Sequence, residues 1–145
     1  MPVFKQGNIW DSYNISNMFI ITGNSFIKKD GSLAMGRGIA LEAKNKILKI
    51  DIIFGKMIID KCGHLGIYNL INYNKIYLLQ TKIHFKDPSS IDLIYNGIER
   101  LKSIINNQLI INMVFPGIGY GGLTKEEVFH KTLVNLPNNI TIWYK

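Results

Sequence analysis

The chain has 145 residues, 47% hydrophobic and 19% charged, which suits one domain with its own core and excludes a disordered segment. No apolar run reaches the roughly 18 residues of a membrane span, and the opening MPVFKQGNIW lacks the pattern of a secretory leader. The single cysteine, Cys62, excludes an internal disulfide and a cysteine-based zinc cluster. Seventeen Lys and Arg against ten Asp and Glu give a net charge of +7. That excess has two readings, an anionic partner such as a nucleic acid or a phosphorylated small molecule, or simple abundance of lysine. A cytoplasmic monomer without membrane contact is expected.

Val3–Ile9 and Asn17–Thr22 read as two strands. From Gly38 the apolar positions Ile39, Ala43, Ile47 and Ile50 recur at helical spacing, and Ile52–Ile59 either continues that helix or forms a strand. Leu65–Ile71 and Lys75–Thr81 flank the turn-like NYN as a hairpin. A second helix follows DPSS, with Asp87 or Ser89 as N-cap and a stripe of Ile91, Ile94, Ile98, Leu101 and Ile105. Leu109–Phe115 has the unbroken apolar character of a central strand. Thr124 and Glu127 form a capping box that starts a third helix running to about Leu136, and ITIWY is the last strand. The alternation predicts an α/β domain with helices on both sides of a mixed sheet.

The informative residues cluster where strands give way to helices, the ligand-binding edge of an open α/β sheet. One glycine loop runs from Gly23-Asn24-Ser25 to Met35-Gly36-Arg37-Gly38. Starting at Gly31 it nearly matches a P-loop, but Arg37 and Gly38 replace the lysine and the hydroxyl that holds magnesium, which argues against an NTPase. The second loop is Pro116-Gly117-Ile118-Gly119-Tyr120-Gly121-Gly122. It fits G-x-G-x-x-G, yet too little chain follows for a dinucleotide fold, and Thr141–Lys145 contains no acid. Either the glycines only make tight turns, or two phosphate-grade loops hold a pyrophosphate-like ligand between them. Lys82 directly follows the apolar IYLLQ, so it projects from the end of a strand. It is either a solvated lysine or an amine whose pKa neighbouring positive groups depress. His84 is either structural or a proton shuttle. No His, Asp or Glu spacing suggests a metal site.

In this order the segments resemble the macro domain, a fold that binds ADP-ribose. Gly7-Asn8-Ile9 is similar to the family's early G-D-[IL] segment, and Thr22-Gly23-Asn24 to the loop whose Asn faces the distal ribose. Met35-Gly36-Arg37-Gly38-Ile39-Ala40 resembles the M-G-x-G-I-A loop, and FPGIGYGGL the second, diphosphate-binding loop. Gln80-Thr81-Lys82-Ile83-His84-Phe85-Lys86 is similar to the T-K-x-H-W-[RK] stretch of one branch. That branch includes antitoxin macro domains that remove ADP-ribose from DNA bases and enzymes that release it from protein carboxylates, and in both a lysine at the position of Lys82 is essential.

The sequence departs from the pattern at two places. Asn8 stands where an Asp usually contacts the adenine amino group; its side-chain oxygen still accepts such a bond. Gly121-Gly122 stands where the protein-ester hydrolases carry a catalytic Asp, with Thr124 and Lys125 beyond, which places the chain closer to the DNA-directed type.

The resemblance implies a single domain over residues 1–145, a three-layer α/β/α fold around a mixed, mostly parallel sheet. It implies an ADP-ribosyl hydrolase that needs no metal or cofactor. ADP-ribose would be bound by Asn8, Ile9, Gly23, Asn24, Met35, Gly36, Arg37, Gly38 and the loop from Pro116 to Gly122. Asn24 would orient the distal ribose, Lys82 would act at its anomeric carbon as nucleophile or electrostatic stabiliser, and His84 would position Lys82 or the leaving group. The substrate would be an ADP-ribosylated nucleic acid or protein. Three alternatives stand beside this: a non-catalytic reader or sponge of ADP-ribose or a related nucleotide, a phosphatase of ADP-ribose 1″-phosphate, and a nucleic-acid-binding protein with vestigial loops.

Overall fold

The computed structural model describes all 145 residues. β2 (Met18–Gly23) occupies the middle of a six-stranded sheet, as expected of a strand that is apolar on both faces. Phe19 and Ile21 enter the core on one side, Met18 and Ile20 the core on the other. The same period-two alternation splits Leu78 from Leu79 in β4 (Ile76–Gln80), and Trp143 from Ile142 in β6 (Ile140–Tyr144). With β1 (Val3–Gln6), β3 (Leu70–Tyr73) and β5 (Ile111–Val114), the order is β1-β6-β5-β2-β4-β3, and only β3 runs antiparallel, against β4. α1 (Gly38–Lys46) and α2 (Ile50–Lys61) cover the Phe19 face; α3 (Ile91–Ile104) and α4 (Lys125–Val128) cover the Met18 face. The expected three-layer α/β/α architecture, with a mixed and mostly parallel sheet, is the one observed.

Several boundaries differ from the sequence reading, each for a local reason. The first strand stops at Gln6 because Gly7, at φ 149° and pressed against the Trp143 ring, turns the chain. Ile9 therefore opens a 3₁₀ helix, Ile9–Ile15, whose first turn is capped by the Asn8 side chain. The first predicted helix is two: Lys49 takes the left-handed conformation (φ 62°) and separates α1 from α2. That break also settles Ile52–Ile59 as helix. Residues 65–69 are not strand. Leu65 and Asn69 are left-handed, and the buried Gln80 side chain accepts the N–H groups of Tyr68 and Asn69 in place of a ladder. The N-cap of α3 is Ser90, whose hydroxyl accepts from Leu93 N–H, rather than Asp87 or Ser89. The Thr124–Glu127 capping box forms, but α4 is only four residues before the chain widens into a π turn, Phe129–Leu133.

Because five strands are parallel, their carboxyl ends meet along one edge of the sheet. There the chain delivers Gly7–Asn8 after β1, Gly23–Asn24 after β2, Thr81–Lys82 after β4, the second glycine loop after β5, and the end of β6.

Candidate active site

Along that edge lies a cleft of about 1010 Å³, the size of a pocket for a dinucleotide-sized ligand. The first glycine loop forms one wall. Asn24 is buried at its base, with Oδ1 accepting from Phe26 N–H (2.9 Å) and Nδ2 donating to the Ala34 carbonyl (3.1 Å). One amide proton and one lone pair of that side chain stay free of intramolecular bonds. Further along, the Asp30 carboxyl accepts from both the N–H and the hydroxyl of Ser32, and these bonds hold it below the usual carboxylate range. The wall ends at the N-terminus of α1, where Arg37 occupies the cap without a side-chain hydrogen bond. The first-turn N–H groups of a helix begun this way remain available to an anion.

The opposite wall is the second loop. Gly117 and Gly119 adopt positive φ, 79° and 67°, which no side chain at these positions would tolerate well. Gly121 is a glycine for a different reason: a Cβ there would collide with the Ser89 hydroxyl. Tyr120, at the tip, is 71% exposed and lies under the Arg37 guanidinium at 5.2 Å, so the tips of the two loops touch.

Lys82 stands between the walls. Its segment is fastened to the first loop by Thr81 N–H to Gly23 O (2.9 Å) and Ser25 N–H to Ile83 O (2.9 Å). It is fastened to the second by Ser89 N–H to Gly121 O (2.8 Å). Gln80, fully buried, adds a donor bond from Nε2 to the Lys82 carbonyl (3.3 Å) and another to Gly66 O (3.0 Å). The Lys82 ammonium is thus offered to the cleft by a rigid backbone. Burial, chiefly, lowers its pKa below 10.5; Arg37 pushes the same way, and Asp87 opposes both.

Of the residues singled out from sequence, Asn8, Ile9, Gly23, Asn24, Met35, Gly36, Arg37, Gly38, Lys82, Gly117, Ile118, Gly119, Tyr120 and Gly121 line this one cleft. Pro116, Gly122 and His84 do not. The His84 ring packs on Phe26 and Phe85, its Nδ1 accepts from Lys86 N–H (3.0 Å), and the His84 backbone N–H donates to Asp87 Oδ2 (3.0 Å). These contacts shape the turn that carries Lys82. Asn8 Oδ1 already accepts from Trp10 N–H at 3.0 Å. Sequence reasoning did not single out Phe85, Asp87, Ser89, Glu42 or Lys145 as lining residues. Phe85 and Asp87 had a signal, their place in the segment that follows Lys82.

No protein-family model matches the sequence, and no curated protein matches it at a significant level. Solved structures do. The macrodomain of Thermus aquaticus DarG superposes with a TM-score of 0.78 at 23% identity, over 100% of this chain and 98% of that one. The macrodomain of Mycobacterium tuberculosis DarG gives 0.76 at 21% identity, over 100% and 98%. Thermosipho africanus DarTG, in complex with ADP-ribose, gives 0.71 at 18% identity; there 97% of this chain matches 41% of the other. The fold is that of a macrodomain.

Proposed function

We propose that this chain binds ADP-ribose across the cleft and hydrolyses the bond joining its distal ribose to a macromolecule, with Lys82 acting at the anomeric carbon. The observation that carries the reading is Lys82 itself: a half-buried lysine at a strand end, its amine made easier to deprotonate, flanked by two glycine loops. Backbone N–H groups of Gly36–Gly38 and Gly117–Gly121 hold the diphosphate. Asn24 orients the distal ribose with its free amide proton. The neutral Lys82 amine attacks the anomeric carbon as the bond to the acceptor breaks, and water then releases the sugar. No carboxylate stands on the second loop, and the acid next to Lys82 is Asp87.

The acceptor side of the cleft favours nucleic acid. Phe85 is 43% exposed, and Lys28 and Lys86 line the cleft with it, a flat ring with cations suited to a base and its phosphates. This also gives part of the +7 a place, since the diphosphate itself is held largely by backbone. The test is release of ADP-ribose from ADP-ribosylated single-stranded DNA and from ADP-ribosylated protein. Turnover of DNA alone supports the reading in full, and turnover of protein alone moves the acceptor. Tight ADP-ribose binding with no turnover on any linkage makes the chain a reader.

A proton balance checks the same site. In the fold Lys82 gives up its proton more readily than in the unfolded chain. Between the lowered value and 10.5 the unfolded chain therefore binds more protons, and stability rises with pH through that window as the cost of the buried charge disappears. A diphosphate in the cleft favours the ammonium and offsets part of the shift. ADP-ribose binding in that alkaline window is expected to take up protons, seen as a buffer-dependent heat in calorimetry. The uptake should vanish in Lys82→Ala.

A further inference from the structure

We propose that Tyr68 and Gln80 are positioning residues, which hold the backbones of Asn24 and Lys82 against each other through the segment between α2 and β3. The proposal rests on the reading of Asn24 and Lys82 as the pair that handles the distal ribose. Both of those line the cleft, whereas Tyr68 and Gln80 are buried and do not. Any effect of Tyr68 or Gln80 on turnover therefore passes through other residues.

The peptide unit that follows Asn24 is pinned at both of its polar atoms. Its carbonyl accepts from the Tyr68 hydroxyl at 2.8 Å, and its N–H, that of Ser25, donates to Ile83 O at 2.9 Å. One bond comes from residue 68 and the other from the residue next to Lys82, so the backbone of Asn24 is set against both. Two more bonds tie the same stretch to the segment before β3: Leu65 N–H to Ser25 O (2.8 Å) and Ile27 N–H to His64 Nδ1 (3.0 Å).

Gln80 closes the link from the other side. Its Oε1 accepts from the N–H groups of Tyr68 (2.8 Å) and Asn69 (3.2 Å). Its Nε2 donates to Gly66 O (3.0 Å), and lies 3.3 Å from both Ser25 Oγ and Lys82 O. One side chain thus grips the backbone of Tyr68, the residue after Asn24 and the carbonyl of Lys82. A buried network of this kind is rigid while every member is satisfied. Misplacing a reacting group by about 1 Å can cost about a hundredfold in rate. The diphosphate, in the same reading, is held by Gly36–Gly38 and Gly117–Gly121, none of which bonds to Tyr68 or Gln80, so affinity should survive their loss.

The experiment measures turnover of ADP-ribosylated DNA and protein, and calorimetric binding of ADP-ribose, for wild type, Tyr68→Phe and Gln80→Met, each well below its melting temperature. Tyr73→Phe is the control, since that hydroxyl belongs to an exposed ring on β3. Tyr68→Phe keeps the ring and loses the bond to Asn24, so kcat should fall about tenfold with Kd within about twofold of wild type. Gln80→Met loses the grip on both sides and should lower kcat by about a hundredfold. Tyr73→Phe should match wild type in both measurements. A merely structural role would lower the melting temperature and leave kcat per ADP-ribose-binding site unchanged. That result in Tyr68→Phe, which decides alone if Gln80→Met does not fold, overturns the positioning role and spares the hydrolase reading. Wild type that turns over neither substrate overturns both.

Discussion

Lys82→Ala is expected to abolish turnover, lowering kcat by about a thousandfold, while ADP-ribose binds within a fewfold of wild type. The split follows from where the side chain stands. Lys82 lines the cleft, whereas in the proposed pose the diphosphate donors are backbone groups of the two loops, which a side-chain truncation leaves untouched. Loss of an ammonium removes some attraction for the ligand, but also removes a group whose charge is disfavoured by burial. Lys82→Arg separates the roles that a lysine can play. An arginine keeps the positive charge but cannot become a neutral nucleophile. Activity retained in Lys82→Arg would assign charge stabilisation; loss in both variants assigns attack by the free amine. Equal rates for wild type and Lys82→Ala would remove the residue from the mechanism.

The largest expected effect on stability comes from a glycine outside the cleft. Gly55 lies in α2 where the helix passes the first glycine loop. A Cβ there would overlap the Gly31 carbonyl oxygen, and would stand 2.9 Å from Leu33 N and 3.0 Å from Ser32 Cα. All three neighbours are backbone, so no side chain can swing aside. The helix is further tied to the loop by Leu33 N–H to Asp51 O (2.9 Å). Gly55→Ala is therefore expected to cost about 2–3 kcal/mol in denaturant titration and to weaken ADP-ribose binding, because the loop that ends at Gly38 must move. Lys56→Ala, one residue along on the exposed face, should change stability by less than about 0.5 kcal/mol. If Gly55→Ala is as stable as wild type, the close packing of helix on loop is refuted.

How much of this was legible beforehand depends on how local each cause was. The Thr124–Glu127 box was readable because both partners lie within four residues. The central strands were readable because continuous apolar character has one structural outcome in a sheet covered on both faces. The break between α1 and α2 was not, since Lys49 in the left-handed region leaves no mark in an otherwise periodic stretch. Nor was the cap of α3: Asp87, Ser89 and Ser90 are equally good on composition. Tertiary structure assigns Asp87 to the His84 N–H and buries Ser89 against Gly121. The cleft itself was largely visible, because its walls are glycine loops with fixed places relative to the strands. Glu42 was hidden for the converse reason: an acid on an amphipathic helix reads as solvated until Trp10, thirty-two residues away, is found beside it.

β1 has one neighbour in the sheet, β6, with Val3 opposite Thr141. The cleft is thus made by two parts of the chain with different histories. Lys82 and the first glycine loop follow β4 and β2, where Phe19 lies opposite Ile76, whereas the Asn8 end exists only once residues nearly a whole chain apart, Val3 and Thr141, have met. Closing so long a loop carries a high entropic cost, which makes β1 and β6 candidates for the last strands to dock and the first to part. A ligand spanning both regions would act as a strap between them, so ADP-ribose is expected to slow amide exchange in β1 and β6 more than in β3 and β4.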